Sequence, residues 1–130
     1  MKTLIAISFI LISNISFSQS QTEMNLSAED KFIINDRKLN EIYNQILTEY
    51  SDNKQFIKNL KASERLWVKF RDAELLMRYP EGDSIRNGSV FNLCYFHYIT
   101  ELTESRIQTL QEWTDGVQEG EVCGGSIKMN

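Results

Sequence analysis

The residues of this chain that could do chemistry crowd into one stretch, Trp67-Val68-Lys69-Phe70-Arg71-Asp72-Ala73-Glu74, and are sparse elsewhere. Two large aromatics stand about one helical turn apart, with the charges of Lys69, Arg71, Asp72 and Glu74 beside them. Such a mixture could form a ligand platform or an acid–base pair. The spacing argues for neither. Asp72 and Glu74 are two residues apart, so on a helix they diverge by roughly 200° and make no paired-carboxylate site by themselves. Aromatics at helical spacing usually fill cores, so Trp67 and Phe70 are expected inside. Arg71, Asp72 and Glu74 are then structural charges. Arg106 is a basic residue on an otherwise apolar stripe, and it is expected to pair with Glu74 or Asp72. Arg71 is expected to reach the first helix near Asp36 or Asn40. Ion pairs of this kind fix helix register rather than add much net stability.

Other catalytic chemistry finds little support. His97 is the single histidine, and with Cys94 and Cys123 it makes no credible zinc shell. There is no Gly-rich phosphate loop, no nucleophile elbow, and no Cys–His pair with an orienting group. A glycosidase needs two carboxylates held across a cleft, and a bundle of this size leaves little room for one. The reading is a non-enzymatic protein without metal or cofactor. The chain has 14 basic and 18 acidic residues, a net charge of −4. That balance excludes nucleic acid as a partner, which calls for a basic face. It permits a basic protein partner and equally serves solubility.

The elements that position these residues start with an expected leader. Residues 1–18 read as a cleaved signal peptide: Lys2 is the positive start, Leu4 to Ile12 a short apolar run, and Ser16-Phe17-Ser18 the cleavage signal. The run is shorter than the ~20 apolar residues a membrane span requires. The mature chain, residues 19–130, is then expected as one periplasmic or secreted domain, with 114–130 an extended tail.

Ser27, followed by Glu29 and Asp30, predicts a helix start. From there the first helix runs to Tyr50, with an irregularity near Asn35 and a face of Leu39, Ile42, Tyr43, Ile46, Leu47 and Tyr50. Ser51-Asp52-Asn53 is the break. The second helix spans Lys54 to Tyr79, with a stripe of Phe56, Leu60, Trp67, Phe70 and Met77 flanked by Leu66 and Leu76. Pro80 ends it. Ser89 caps a third helix, Val90 to Trp113, with a face of Phe91, Cys94 or Tyr95, Tyr98, Ile99, Leu102, Arg106, Leu110 and Trp113. Short links imply antiparallel neighbours, hence a small antiparallel all-α bundle of three main helices with an irregular C-terminal tail.

Met24-Asn25, Leu39-Asn40 with Tyr43, Trp67 with Phe70-Arg71-Asp72-Ala73-Glu74, and Leu102-Thr103 with Arg106 occur in an order and spacing that resemble the N-terminal-domain family of the lysozyme inhibitor LprI. The likeness covers nearly all of the chain after residue 18 up to about Trp113. Family members often carry Cys where this chain has Ser27 and Leu75, so the family's usual bridges cannot form in their usual way. The resemblance implies a compact bundle of antiparallel helices and, for function, an inhibitor of lysozyme.

Both cysteines lie beyond the leader, and in an oxidising compartment a pair is expected to bridge. Cys94 to Trp113 spans roughly 28 Å of helix. Residues 114–123 can extend to roughly 33–36 Å, enough to return along the bundle. A Cys94–Cys123 bridge is therefore expected, with an intermolecular bridge through Cys123 as the rival. A returning tail would bring Glu119 and Glu121 towards Glu81 and Asp83, giving one acidic end suited to a basic lysozyme. The alternative is an interaction module of the cell envelope, whose partner would meet an exposed patch around Tyr95, Phe96 and Ile127.

Overall fold

The computed structural model describes the backbone of residues 2–80 and 90–130 and, within these, the side chains from residue 22 onward. Three helices follow in order: α1 over Lys2–Glu49, α2 over Lys54–Arg78 and α3 over Val90–Asp115. The fold is all-α.

α1 is 48 residues long and starts far ahead of Ser27. No proline or glycine occurs between residues 2 and 49, so nothing in the local chemistry stops the helix. Ser27, Glu29 and Asp30 fall inside it rather than at a cap. The helix also passes through Asn35 unbroken; that side chain donates to the Lys31 carbonyl at 3.0 Å, one turn back. The expected break at Ser51-Asp52-Asn53 is where the chain turns. Asn53 caps α2, its side-chain oxygen accepting from the Phe56 amide at 3.0 Å. α2 closes one residue early, with the Tyr79 amide bonding the Leu75 carbonyl at 2.7 Å ahead of Pro80. α3 ends at Gly116, whose φ of +77° favours glycine.

The core lies in two clusters along the bundle. One joins Leu39, Ile42 and Ile46 of α1, Leu60 of α2, and Ile107 and Leu110 of α3. The other joins Ala28 of α1, Leu75 of α2, and Phe96 and Ile99 of α3. The closest helix pair is α1 with α3, not α1 with the α2 that follows it in sequence. Thr100 and Thr103 are buried in α3 despite their polar type. Each hydroxyl is satisfied one turn back, on the Phe96 carbonyl at 2.6 Å and the Ile99 carbonyl at 2.7 Å. The buried face of α3 runs through Phe96, Ile99, Thr103, Ile107 and Leu110, while Phe91 and Cys94 of the expected face are exposed.

α2 is the thinly buried helix. Among its residues only Leu60 and Leu75 are fully buried. Leu66, Phe70, Leu76 and Met77 are 66%, 52%, 59% and 72% exposed. The expectation that Phe70 fills the core is corrected: Leu60 and Leu75 set the inward face of α2, and Phe70 points roughly 80° or more away from both. Trp67, on the inward side, is half-buried and packs against the first cluster.

The tail is not extended. Val117 pairs with Met129 in a single parallel bridge, the Val117 amide donating to the Lys128 carbonyl and the Asn130 amide to the Val117 carbonyl, both at 2.9 Å. Residues 117–129 thus close on themselves beyond the end of α3.

Candidate functional site

Hydrogen bonds from two residues of α3, Arg106 and Tyr98, tie α2 to it, and both depart from the pairing expected of the central stretch. Arg106 of α3 donates through Nε and Nη2 to Glu64 Oε2 at 2.9 and 2.8 Å, and through Nη2 to Ser63 Oγ at 3.1 Å. Its partner is neither Glu74 nor Asp72. The antiparallel register explains this, since Leu60 meets Leu110 and Leu75 meets Phe96, which leaves Glu64 level with Arg106. Bringing Glu74 there instead would slide α2 by about 15 Å. Glu64 and Arg106 keep only 16% and 12% of their side-chain surface, so the pair is largely desolvated.

Glu74 accepts from the Tyr98 hydroxyl at 2.9 Å. That hydrogen bond, aided by burial, holds the Tyr98 phenol above its ordinary pKa. The Arg78 guanidinium lies 4.2 Å from the centre of the Tyr98 ring. Arg71 does not cross to α1. It bonds Asp72, its neighbour in sequence, through Nε at 2.9 Å and Nη2 at 2.7 Å. A cavity of about 490 Å³ between α1 and α2 separates the helices here, with Arg71, Asp36 and Asn40 all on its wall. Trp67 stands between two cations, with the Arg71 and Arg106 guanidinium carbons 5.5 and 5.9 Å from its ring centre. The stretch is therefore a bracket joining α2 to α3. Among the described residues, no three His, Cys, Asp or Glu side chains converge to hold a metal.

The more exposed chemistry is in the C-terminal cap, which sits where α1 ends and α3 ends. The Tyr50 hydroxyl donates to the Trp113 carbonyl and accepts from the Lys128 amide, both at 2.9 Å. Trp113 Nε1 donates to Ser126 Oγ at 3.1 Å. Lys128 Nζ bonds Glu49 Oε2 at 2.7 Å, and Asn130 Nδ2 donates to the Asp115 carbonyl. The Lys128 ammonium, then Gln45, lowers the Glu49 carboxyl below its usual pKa, and Glu49 in turn raises Lys128. A side chain at Gly116 would displace Asn130, since a Cβ there lies 2.6 Å from Asn130 Oδ1.

One expectation about the tail is thereby corrected. Cys94 and Cys123 are both free and exposed. The residues that could have stretched back along the bundle are spent closing the Val117–Met129 loop, and α3 separates the two thiols. Glu119 and Glu121 are exposed, as are Glu112 and Asp115. Glu81 and Asp83 lie outside the described residues. The closure of the tail into a cap on Tyr50 is a feature that sequence reasoning missed. Tyr50, a single aromatic at the first helix's end, was its one available signal.

The fold and these surfaces define a small all-helical bundle. Among the described residues, no helix is long and apolar enough to cross a membrane. The chain belongs to the LprI lysozyme inhibitor family, whose profile matches residues 14–110. No curated protein and no solved structure matches it.

Proposed function

We propose that the protein is an exported, non-enzymatic inhibitor that binds a basic lysozyme through the acidic C-terminal cap. Family membership supports the partner class. The observation that carries the site is the cap itself: Glu112, Asp115, Glu119 and Glu121 are all exposed on a segment anchored through Tyr50, Trp113 and Lys128. A preorganised patch of carboxylates steers and holds a cationic partner with little ordering cost. Glu81 and Asp83 are proposed as a second contact.

The test is inhibition of purified lysozymes of several types. Wild-type protein is expected to inhibit at micromolar concentration, less so as salt rises. Reversing Glu112 and Glu119 to Lys is expected to weaken inhibition about tenfold, as a rim-charge effect on association. Absence of inhibition by the wild type across all types discards the reading. Export rests on the leader of residues 1–18. It is checked by the mass of protein recovered from the cell envelope, which is expected to begin at Gln19.

A further inference from the structure

The exposed half of α2 carries two parallel stripes. Leu66, Phe70, Ala73 and Met77 recur every three or four residues, so they share one face within roughly 40° of its centre. All four are exposed. Lys54, Lys58, Lys61, Arg65 and Lys69, also at helical spacing and all exposed, form a basic row roughly 110° round the helix that covers its N-terminal part and flanks the apolar stripe from Arg65 to Lys69. Among the described residues, none of these five cations is held in an ion pair with a carboxylate. The helix counts seven basic residues against Glu64, Asp72 and Glu74, within a chain of net charge −4.

We propose that this face of α2 binds an anionic lipid surface. Phe70, Leu66 and Met77 would enter the headgroup boundary. The long stems of Arg65 and Lys69 let their charges reach lipid phosphates from the flank. Charge complementarity selects the occupant. α2 of a second copy would cover the apolar stripe but offer the basic row, most of which lies N-terminal to that stripe, no run of anions. The basic row repels a cationic lysozyme, so this face is separate from the cap and does not rest on the inhibitor reading. A straight helix with apolar and cationic stripes along its outer side fits a flat anionic layer.

The experiment is co-sedimentation of the exported protein, expected to begin at Gln19, with vesicles of phosphatidylcholine alone or with one-third phosphatidylglycerol, so that the apolar run Leu4 to Ile12 adds no binding of its own. Wild type is expected to bind the anionic vesicles at least about tenfold better than the neutral ones, with the gain lost at high salt. Arg65→Glu with Lys69→Glu is expected to remove that gain, and the milder Arg65→Gln with Lys69→Gln to halve it or more. Phe70→Ser with Met77→Ser is expected to weaken anionic binding about tenfold. All sites are exposed, so helicity and melting temperature should hold, which separates lost binding from lost folding. Equal binding of wild type to both vesicles, or wild-type binding by the reversed variant, overturns the proposal. So does retention on immobilised polyglutamate without vesicle binding, which would point to an acidic protein.

Discussion

α1 and α3 form one kind of structure and α2 another. The first pair is held by buried apolar side chains and by threonines small enough to sit between close helices. α2 is held by two buried leucines, the half-buried Phe56 and Trp67 and a set of polar brackets, and it leaves an apolar stripe in water. The contrast shows that amphipathic patterning alone does not bury a helix. Burial requires a neighbour on that side, and α3 spends its inward face mainly on α1.

The largest effect that tests the contrast is in the α1–α3 core. Ile46 is fully buried, so Ile46→Ala is expected to cost about 2–5 kcal/mol in thermal or urea unfolding. A loss under 1 kcal/mol would mean that this pair is not the core. Next is Arg106→Leu, which strands the Glu64 carboxylate in a largely desolvated position. It is expected to cost roughly 3 kcal/mol, and the double variant with Glu64→Leu should recover much of it. No recovery would place the role of Arg106 elsewhere than the bracket.

Gly116→Ala is expected to cost about 1 kcal/mol or more, from the left-handed backbone and the contact with Asn130. The loss should appear as faster amide exchange at Val117 and Asn130 with α1 and α3 still protected. At the small end, Leu66→Ala and Phe70→Ala are each expected to change stability by no more than about 0.5 kcal/mol, as for exposed sites. A larger loss would show that α2 packs more tightly than its exposure indicates.

Last is pH. Glu49 has a lowered pKa, so its bond to Lys128 contributes above the ordinary carboxyl range and is lost as pH falls through the lowered value, below 4.5. Lys128 is raised, so its contribution is present below 10.5 and lost as pH rises through the higher value. Tyr98 behaves likewise above 10.0, where its bond to Glu74 breaks. Cap exchange should therefore accelerate at both extremes and stay flat between them, and a cap insensitive to acid would remove Glu49 from its anchoring.

Much of this molecule was legible in its residues. The break at Asn53, the stop before Pro80 and the end of α3 near Asp115-Gly116 are local chemistry, set by caps, a missing amide and a permissive glycine. The face of Leu39, Ile42 and Ile46 follows from spacing. The family, too, was legible, because its motif is a linear order of residues. What misled was polar type: Ser27 and Asn35 look like interruptions, yet a helix free of proline and glycine runs through both. Thr100 and Thr103 look exposed, yet their own backbone satisfies them and the core takes them in.

The sequence by itself therefore determined three helices, their turns and the all-α class, since these depend on bonds within a few residues. Tertiary structure decided the rest. It set which helix pair is closest, and so which stripe of α2 stays in water. It set the register that gives Arg106 to Glu64 rather than to Glu74. It also folded the tail into a cap on Tyr50, leaving Cys94 and Cys123 apart. Each of these depends on groups far apart in the chain, where many pairings are chemically equivalent and only packing chooses among them.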